Sequence, residues 1–251
     1  MDNSYQEKRL KKLEERQTSQ TTNGQNGNDG KNKLTPWLVA ILIIMASIYG
    51  IVTLSRSGGN NDQKPSPAET ALTLPAPDDW VRGNPLAKTV LVEYSDFECP
   101  ACATYHPIVK KLVAELGSNF AMVYRHFPLP QHLGAKPAAY AAEAAGAQGK
   151  FWEMADMIFD NQTKWEGRRN VEKTFEEYAV TLGLNLEKFK TDRDAKVTKD
   201  GVDADKASGD GYAVAGTPTF FLNGKKIDNP RSFDDFKKLL SDSISNATTT
   251  P

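Results

Sequence analysis

The chain has 251 residues, of which 39% are apolar and 25% charged, with a formal net charge of -1. That is enough apolar material for one domain of ordinary size with appendages. No basic stripe or interleaved aromatic platform accompanies the near-zero charge, which excludes a nucleic-acid-binding surface of the usual kind.

Residues 1–35 open with the mixed-charge run Glu7 to Arg16 and continue through an Asn/Gly/Thr-rich stretch from Thr18 to Asp29. Their apolar residues are too sparse to cover a face, so the segment is predicted to be a disordered tail rather than a partner-binding helix. Residues 36–54 contain the uncharged run Trp37 to Leu54, which as a helix would extend roughly 27 Å. The run lacks an amphipathic period, unlike a buried core helix. The charged region before it is too long for an ordinary signal peptide, and Ser55-Arg56-Ser57-Gly58-Gly59-Asn60 offers no small-x-small cleavage site. It is therefore read as an uncleaved transmembrane signal anchor.

Lys31 and Lys33 precede the anchor closely, with Lys8, Arg9, Lys11, Lys12 and Arg16 farther out, against Arg56 and Lys64 after it. This asymmetry predicts a cytoplasmic N-terminus and an extracytoplasmic remainder at the cell membrane. Residues 55–77, rich in Pro, Ser, Gly and Asn, read as a flexible linker. The folded domain is expected over 78–247, with 248–251 as a short tail.

Within that domain Thr89 to Tyr94 reads as a buried strand. Pro100 to Leu116 reads as the helix after it, with Ile108, Val109, Leu112, Val113 and Leu116 at helical spacing. Phe120 to Tyr124 alternates as a second strand. Residues 134–212 are Ala-rich and charged, with helical periods and no good strand, and are predicted to form a helical insertion. Thr219 to Leu222 then enters a hairpin at Asn223-Gly224-Lys225 and returns through Lys226-Ile227, and Phe233 to Ile244 supplies a closing helix. The fold class is α/β.

The chain's two cysteines, Cys99 and Cys102, are separated by Pro100-Ala101 directly after the first strand. Two intervening residues on the first turn of a helix bring the sulfurs close enough to bridge while the first faces solvent. A structural zinc site would need four ligands, and His106, His126 and His132 with one cysteine pair do not assemble a zinc ribbon. The spacing therefore reads as a redox dithiol. At the helix N-terminus Cys99 faces unpaired N–H groups and the positive end of the dipole, which favour its thiolate as nucleophile. Cys102, one turn in, is the expected resolving thiol. Pro100 suits the first helical position. Asp96 and Glu98 should oppose thiolate formation, though as exposed charges they are screened.

Several segments resemble the DsbA family of thioredoxin-fold proteins: Val92-Glu93-Tyr94-Ser95-Asp96-Phe97-Glu98-Cys99-Pro100, Lys150-Phe151-Trp152-Glu153-Met154, and Gly216-Thr217-Pro218-Thr219-Phe220-Phe221-Leu222-Asn223-Gly224. The resemblance covers Asp78 to Ile244. It implies a thioredoxin-like fold with a helical insertion, and an oxidoreductase that passes its Cys99-Cys102 disulfide to unfolded or partly folded secreted proteins. It also implies recharging by a quinone-linked membrane thiol oxidase. No metal or organic cofactor is required. A reductase or isomerase is the rival within this chemistry, and a noncatalytic peptide-binding tether is the rival of another class.

Ala101 provides neither charge nor hydrogen bond where DsbA carries histidine, which argues against very strong oxidising power. Glu93 matches the buried acid that thioredoxin-like enzymes place beneath the dithiol; otherwise it is an ordinary strand-edge glutamate. Pro218, just before an apolar strand, calls for a cis bond or an edge position, and the resemblance favours cis. That would free the Thr217 backbone for an extended substrate; a plain trans turn is the alternative. His106 reads as structural, and no chemistry is assigned to His126 or His132. Phe151, Trp152, Phe159 and Trp165 have the spacing of core residues rather than of a peptide groove.

Overall fold

The computed structural model describes residues 72–249. The expected tail, the membrane anchor and the linker up to residue 71 lie outside the described residues. Among the described residues no helix is long and apolar enough to cross a membrane.

The sheet has the order β1-β3-β2-β4-β5, formed by β1 (Trp80–Gly83), β2 (Thr89–Ser95), β3 (Phe120–His126), β4 (Thr219–Leu222) and β5 (Lys225–Ile227). β2 and β3 are parallel, joined through helix α1 (Pro100–Leu116), and the other pairings are antiparallel. All seven residues of β2 are buried, which accounts for its apolar run without a polar face. Glu93 is the carboxylate at the centre of that strand, opposite Tyr124 of β3 and Phe220 of β4.

Helix α1 starts on Pro100 and closes at Gly117, whose N–H bonds the Val113 carbonyl. Its boundaries are those read from the sequence. With the C-terminal helix α8 (Phe233–Thr249) it covers one face of the sheet, burying Leu112, Phe120, Phe220, Phe236 and Leu240 in one cluster. The region expected to be a helical insertion contains α2 (Ala135–Gly146), α3 (Phe151–Asp160), α4 (Gln162–Trp165), α5 (Glu172–Thr181), α6 (Leu186–Asp194) and α7 (Lys196–Gly211). Helix α2 is its hub. Ala138, Ala141, Ala142, Ala144 and Ala145 are fully buried, and their small side chains let neighbouring helices approach closely. Phe151, Phe159 and Trp165 are core residues here, with Trp152 partly buried beside them. Helix α7 passes over the opposite face of the sheet. Gly209 meets the Phe127 ring, and a Cβ there would lie 2.5 Å from it.

Three boundaries differ from the sequence expectation. Leu72 is fully buried with Val81, Val90 and Val92, so the folded unit begins before residue 78. β1 was not foreseen: Trp80-Val81-Arg82-Gly83 is short, and its pairing with Tyr124 to Ala121 of β3 makes it a strand. Helix α8 runs to Thr249, beyond the expected end of the domain.

Candidate active site

Cys99 is the N-cap of α1, with extended backbone angles (φ -74°, ψ 121°), and Pro100 occupies the first helical position. The thiol of Cys99 donates to the Thr217 carbonyl at 3.3 Å, and the Asp96 N–H reaches Cys102 Sγ at 3.5 Å. Both cysteines are free thiols. The Thr217-Pro218 bond is cis.

The sequence places Cys99 facing solvent, but the structure leaves it only 7% exposed, against 0% for Cys102. The cause is tertiary. The Thr217 carbonyl closes on the sulfur, and Gln162 of α4 packs against the turn that carries it, donating its amide to the carbonyls of Cys99 (3.1 Å) and Phe97 (2.7 Å). Pro100 and Ala101 remain exposed beside the sulfur.

The two thiols differ sharply in acidity. The Cys99 thiol is pushed from 9.0 down to about 5, first by the Cys102 side chain, with the Thr217 side chain and the N–H groups of Cys102 and Ala101 adding to the fall and burial opposing it. Cys102 is pushed well above 9.0 by burial, and the charges of Glu93 and Cys99 add to the rise. Such a split is what thiol exchange requires: one sulfur is a thiolate near neutral pH and the other holds its proton.

Glu93 is 4% exposed, so it is not a strand-edge glutamate. Burial raises its carboxyl from 4.5 to about 7; Ser95 and Arg82 offset part of the rise, and Cys99 adds to it. A cavity of about 10 Å³, one water in size, opens between Glu93, Arg82, His106, Tyr124 and Trp152.

Asp96 and Glu98 contradict the expectation of exposed, screened charges: they are 2% and 5% exposed. Asp96 accepts the N–H groups of Glu98 (2.8 Å) and Leu129 (2.8 Å) and pairs with His132 at 2.7 Å. The two oxygens of Glu98 accept the N–H groups of Gly134 and Gly167, each at 2.6 Å. The carboxylates therefore organise the loops around the dithiol. His106 meets Asp156 at 3.0 Å and stacks on Phe159, and His126 meets Glu143 at 3.0 Å. Asp156 also holds Arg82 and Lys110; burial works against its charge, but His106 and these cations keep its carboxyl well below the usual range.

Sequence reasoning missed Gln162, the Arg82–Asp156 pair and Asn229, whose side chain donates to the Pro218 carbonyl at 2.9 Å. A polar residue on a short helix or in a loop carries no periodic signal of its partner. The sole clue was Glu98 itself, an acid directly before the first cysteine. Among the described residues no cluster of His, Cys, Asp and Glu could hold a metal ion.

A family model described as thioredoxin matches residues 76–242. Among curated proteins, the chain is similar to a protein described as Na(+)/H(+) antiporter NhaA 1 of Mycolicibacterium vanbaalenii, 40% identical over 175 residues, covering 66% of this chain and 27% of that protein. A protein of the same description from Salinispora arenicola is 41% identical over 152 residues, covering 59% and 22%. The chain thus spans about a quarter of the length of the curated relatives it matches. Among solved structures, alpha-DsbA1 of Wolbachia pipientis aligns with a TM-score of 0.63 at 21% identity, covering 72% of this chain and 98% of that one. A thioredoxin-like oxidoreductase from Silicibacter pomeroyi aligns at 0.58 with 25% identity, covering 74% and 100%. Oxidised BdbD of Bacillus subtilis aligns at 0.57 with 21% identity, covering 66% and 92%.

Proposed function

Because the chain belongs to the thioredoxin family, we propose that it is a thiol-disulfide oxidoreductase that introduces disulfides into folding proteins outside the cytoplasm. The observation that carries this reading is the opposed acidity of the two thiols, Cys99 pushed down to about 5 and Cys102 pushed up. In the oxidised enzyme a substrate thiolate attacks Cys99 Sγ. A substrate–Cys99 bond forms, the Cys99–Cys102 bond breaks, and the electron pair leaves on Cys102, which takes a proton. A second substrate thiolate attacks the substrate sulfur of the mixed disulfide and expels Cys99 as its thiolate. Two electrons pass from the substrate thiols to the enzyme, which then needs an oxidant; a quinone-linked membrane thiol oxidase is the proposed partner.

Cys99 leaves easily because the Cys102 side chain, helped by Thr217 and the N–H groups of the first helical turn, stabilises its thiolate. Glu93, poised near pH 7 beside a water-sized cavity, exchanges the Cys102 proton. Thr217 and Pro218 line the substrate path, since the Thr217 carbonyl already contacts Cys99. Location at the membrane with the domain extracytoplasmic is supported by the uncharged 36–54 run and its flanking lysines. The description of relatives as antiporters, which act across a membrane, agrees with such a setting.

The deciding experiment is the dithiol potential of the full chain in glutathione buffers, read by alkylation of free thiols. A value of about -120 to -180 mV supports disulfide donation or isomerisation, and one of about -270 mV makes the protein a reductase. A bridge that resists mild reduction, or a fold that is lost in Cys99→Ser, defeats the enzymatic reading in favour of a peptide-binding tether whose disulfide is structural.

A further inference from the structure

We propose that this site selects thiol substrates carrying acidic side chains next to the reacting cysteine, a specificity that rests on the thiol-exchange reading above. Half of the arginines among the described residues are used internally. Arg82 pairs with Asp156, Arg125 with Asp79, and Arg193 with Glu176 and Asp194. The remaining three, Arg168, Arg169 and Arg231, are exposed, and among the described residues their side chains have no ion pair or hydrogen bond.

All three lie on the two loops that border the dithiol. Arg168 and Arg169 follow Gly167, whose N–H is held by Glu98, the residue before Cys99. The same stretch begins at Gln162, bonded to the Cys99 carbonyl. On the second loop, Arg231 follows Pro230, whose carbonyl accepts from Tyr105 of α1 at 2.8 Å, and Asn229 donates to the Pro218 carbonyl. Two segments more than fifty residues apart in sequence thus carry free guanidinium groups, one segment bonded to Glu98 and the Cys99 carbonyl and the other to the Pro218 carbonyl.

The nearby acids do not cancel this frame. Asp96 and Glu98 are buried and occupied by N–H donors. Glu166 and Asp228 stand one on each loop against three arginines. Asp234 and Asp235 occupy the first turn of α8, where they complement its N-terminus, and Asp235 also pairs with the Ser232 hydroxyl at 2.7 Å. An extended substrate beside Thr217 advances about 3.3 Å per residue, so side chains one or two positions from its cysteine fall over these loops. Guanidinium recognises carboxylate by paired, charge-assisted hydrogen bonds.

The test uses the full chain, oxidised, with three otherwise identical cysteine peptides flanked by Glu, Gln or Lys. Each rate is divided by that peptide's rate with a small disulfide, which removes the effect of the flanks on the peptide's own thiol. The expected Glu-to-Lys ratio is about tenfold at low salt and about twofold near 0.5 M salt. Arg168→Glu combined with Arg169→Glu should bring the ratio to one or below, and the charge-matched pair Lys196→Glu with Lys199→Glu on α7 should leave it unchanged. A wild-type ratio of one or less, or a preference retained by the double variant, overturns the proposal while thiol exchange stands. Absence of exchange with all three peptides overturns the thiol-exchange reading and this specificity with it.

Discussion

Replacing Glu93 by Gln tests whether burial has left a carboxyl that resists ionisation. In the folded chain this group titrates near about 7, against 4.5 without the fold, with burial as the main cause. A raised carboxyl binds more protons folded than unfolded, so stability falls as pH climbs through this window. The penalty is absent below 4.5, grows between 4.5 and about 7, and is complete above about 7. At about 1.4 kcal/mol per pH unit, the full penalty is about 3 kcal/mol. Glutamine has no such titration. Urea unfolding of the two full-length proteins in neutral detergent, both with the Cys99–Cys102 bond formed so that thiolate titration drops out, gives the difference at about pH 4 and about pH 8. The change in that difference should favour the variant by about 3 kcal/mol at the higher pH, added to a pH-independent offset from the altered side chain. A difference that stays constant with pH, or moves the other way, refutes the reasoning. The same substitution should flatten the pH dependence of mixed-disulfide resolution near neutrality, because Cys102 loses the base that exchanges its proton.

The acidity of Cys99 predicts that alkylation of the reduced protein by iodoacetamide is already on its plateau at pH 7 and falls about tenfold per pH unit below about 5. Mass spectrometry should place that early label on Cys99, while Cys102 stays unlabelled through pH 9; a midpoint near 9 for Cys99 would contradict the helix-terminus argument. Removing the Glu98 carboxylate with Glu98→Ala leaves the buried N–H of Gly134 and the N–H of Gly167 without their acceptor. The expected loss is roughly 2–4 kcal/mol in denaturant unfolding, smaller for Glu98→Gln, which keeps one acceptor oxygen. Equal stability of the alanine variant and the wild type would show that these loops are held by something else.

Much of the architecture was legible because it is written in local patterns. Proline at the first turn and glycine after the last bound α1. An unbroken apolar run marks β2 as a strand covered on both faces, and the Ala-rich stretch around α2 has a helical period. Cys-x-x-Cys at a strand-to-helix junction points to thiol chemistry for the same reason: the spacing and the helix terminus are both local. β1 escaped notice because Trp80 to Gly83 becomes a strand through its partner Tyr124 and its neighbours on β3, about forty residues away.

The fate of the charges could be decided only by tertiary structure. Asp96, Glu98 and Glu93 are three carboxylates within six residues, and nothing in their order says which is buried or which finds a donor. Glu98 is satisfied by Gly134 and Gly167, and Asp96 by Leu129 and His132, groups that follow each acid by thirty residues or more. Glu93 is left in an apolar surround with a raised pKa. Arg82 and Arg231 likewise look alike as residue types, yet one is held by Asp156 and the other stands free beside the site. Sequence by itself determined the chemistry available, a thiol pair at a helix start, because that needs only residues in succession. Acidity, access and charge environment came from the fold, because desolvation and Coulomb energy depend on distances between segments that no local pattern encodes.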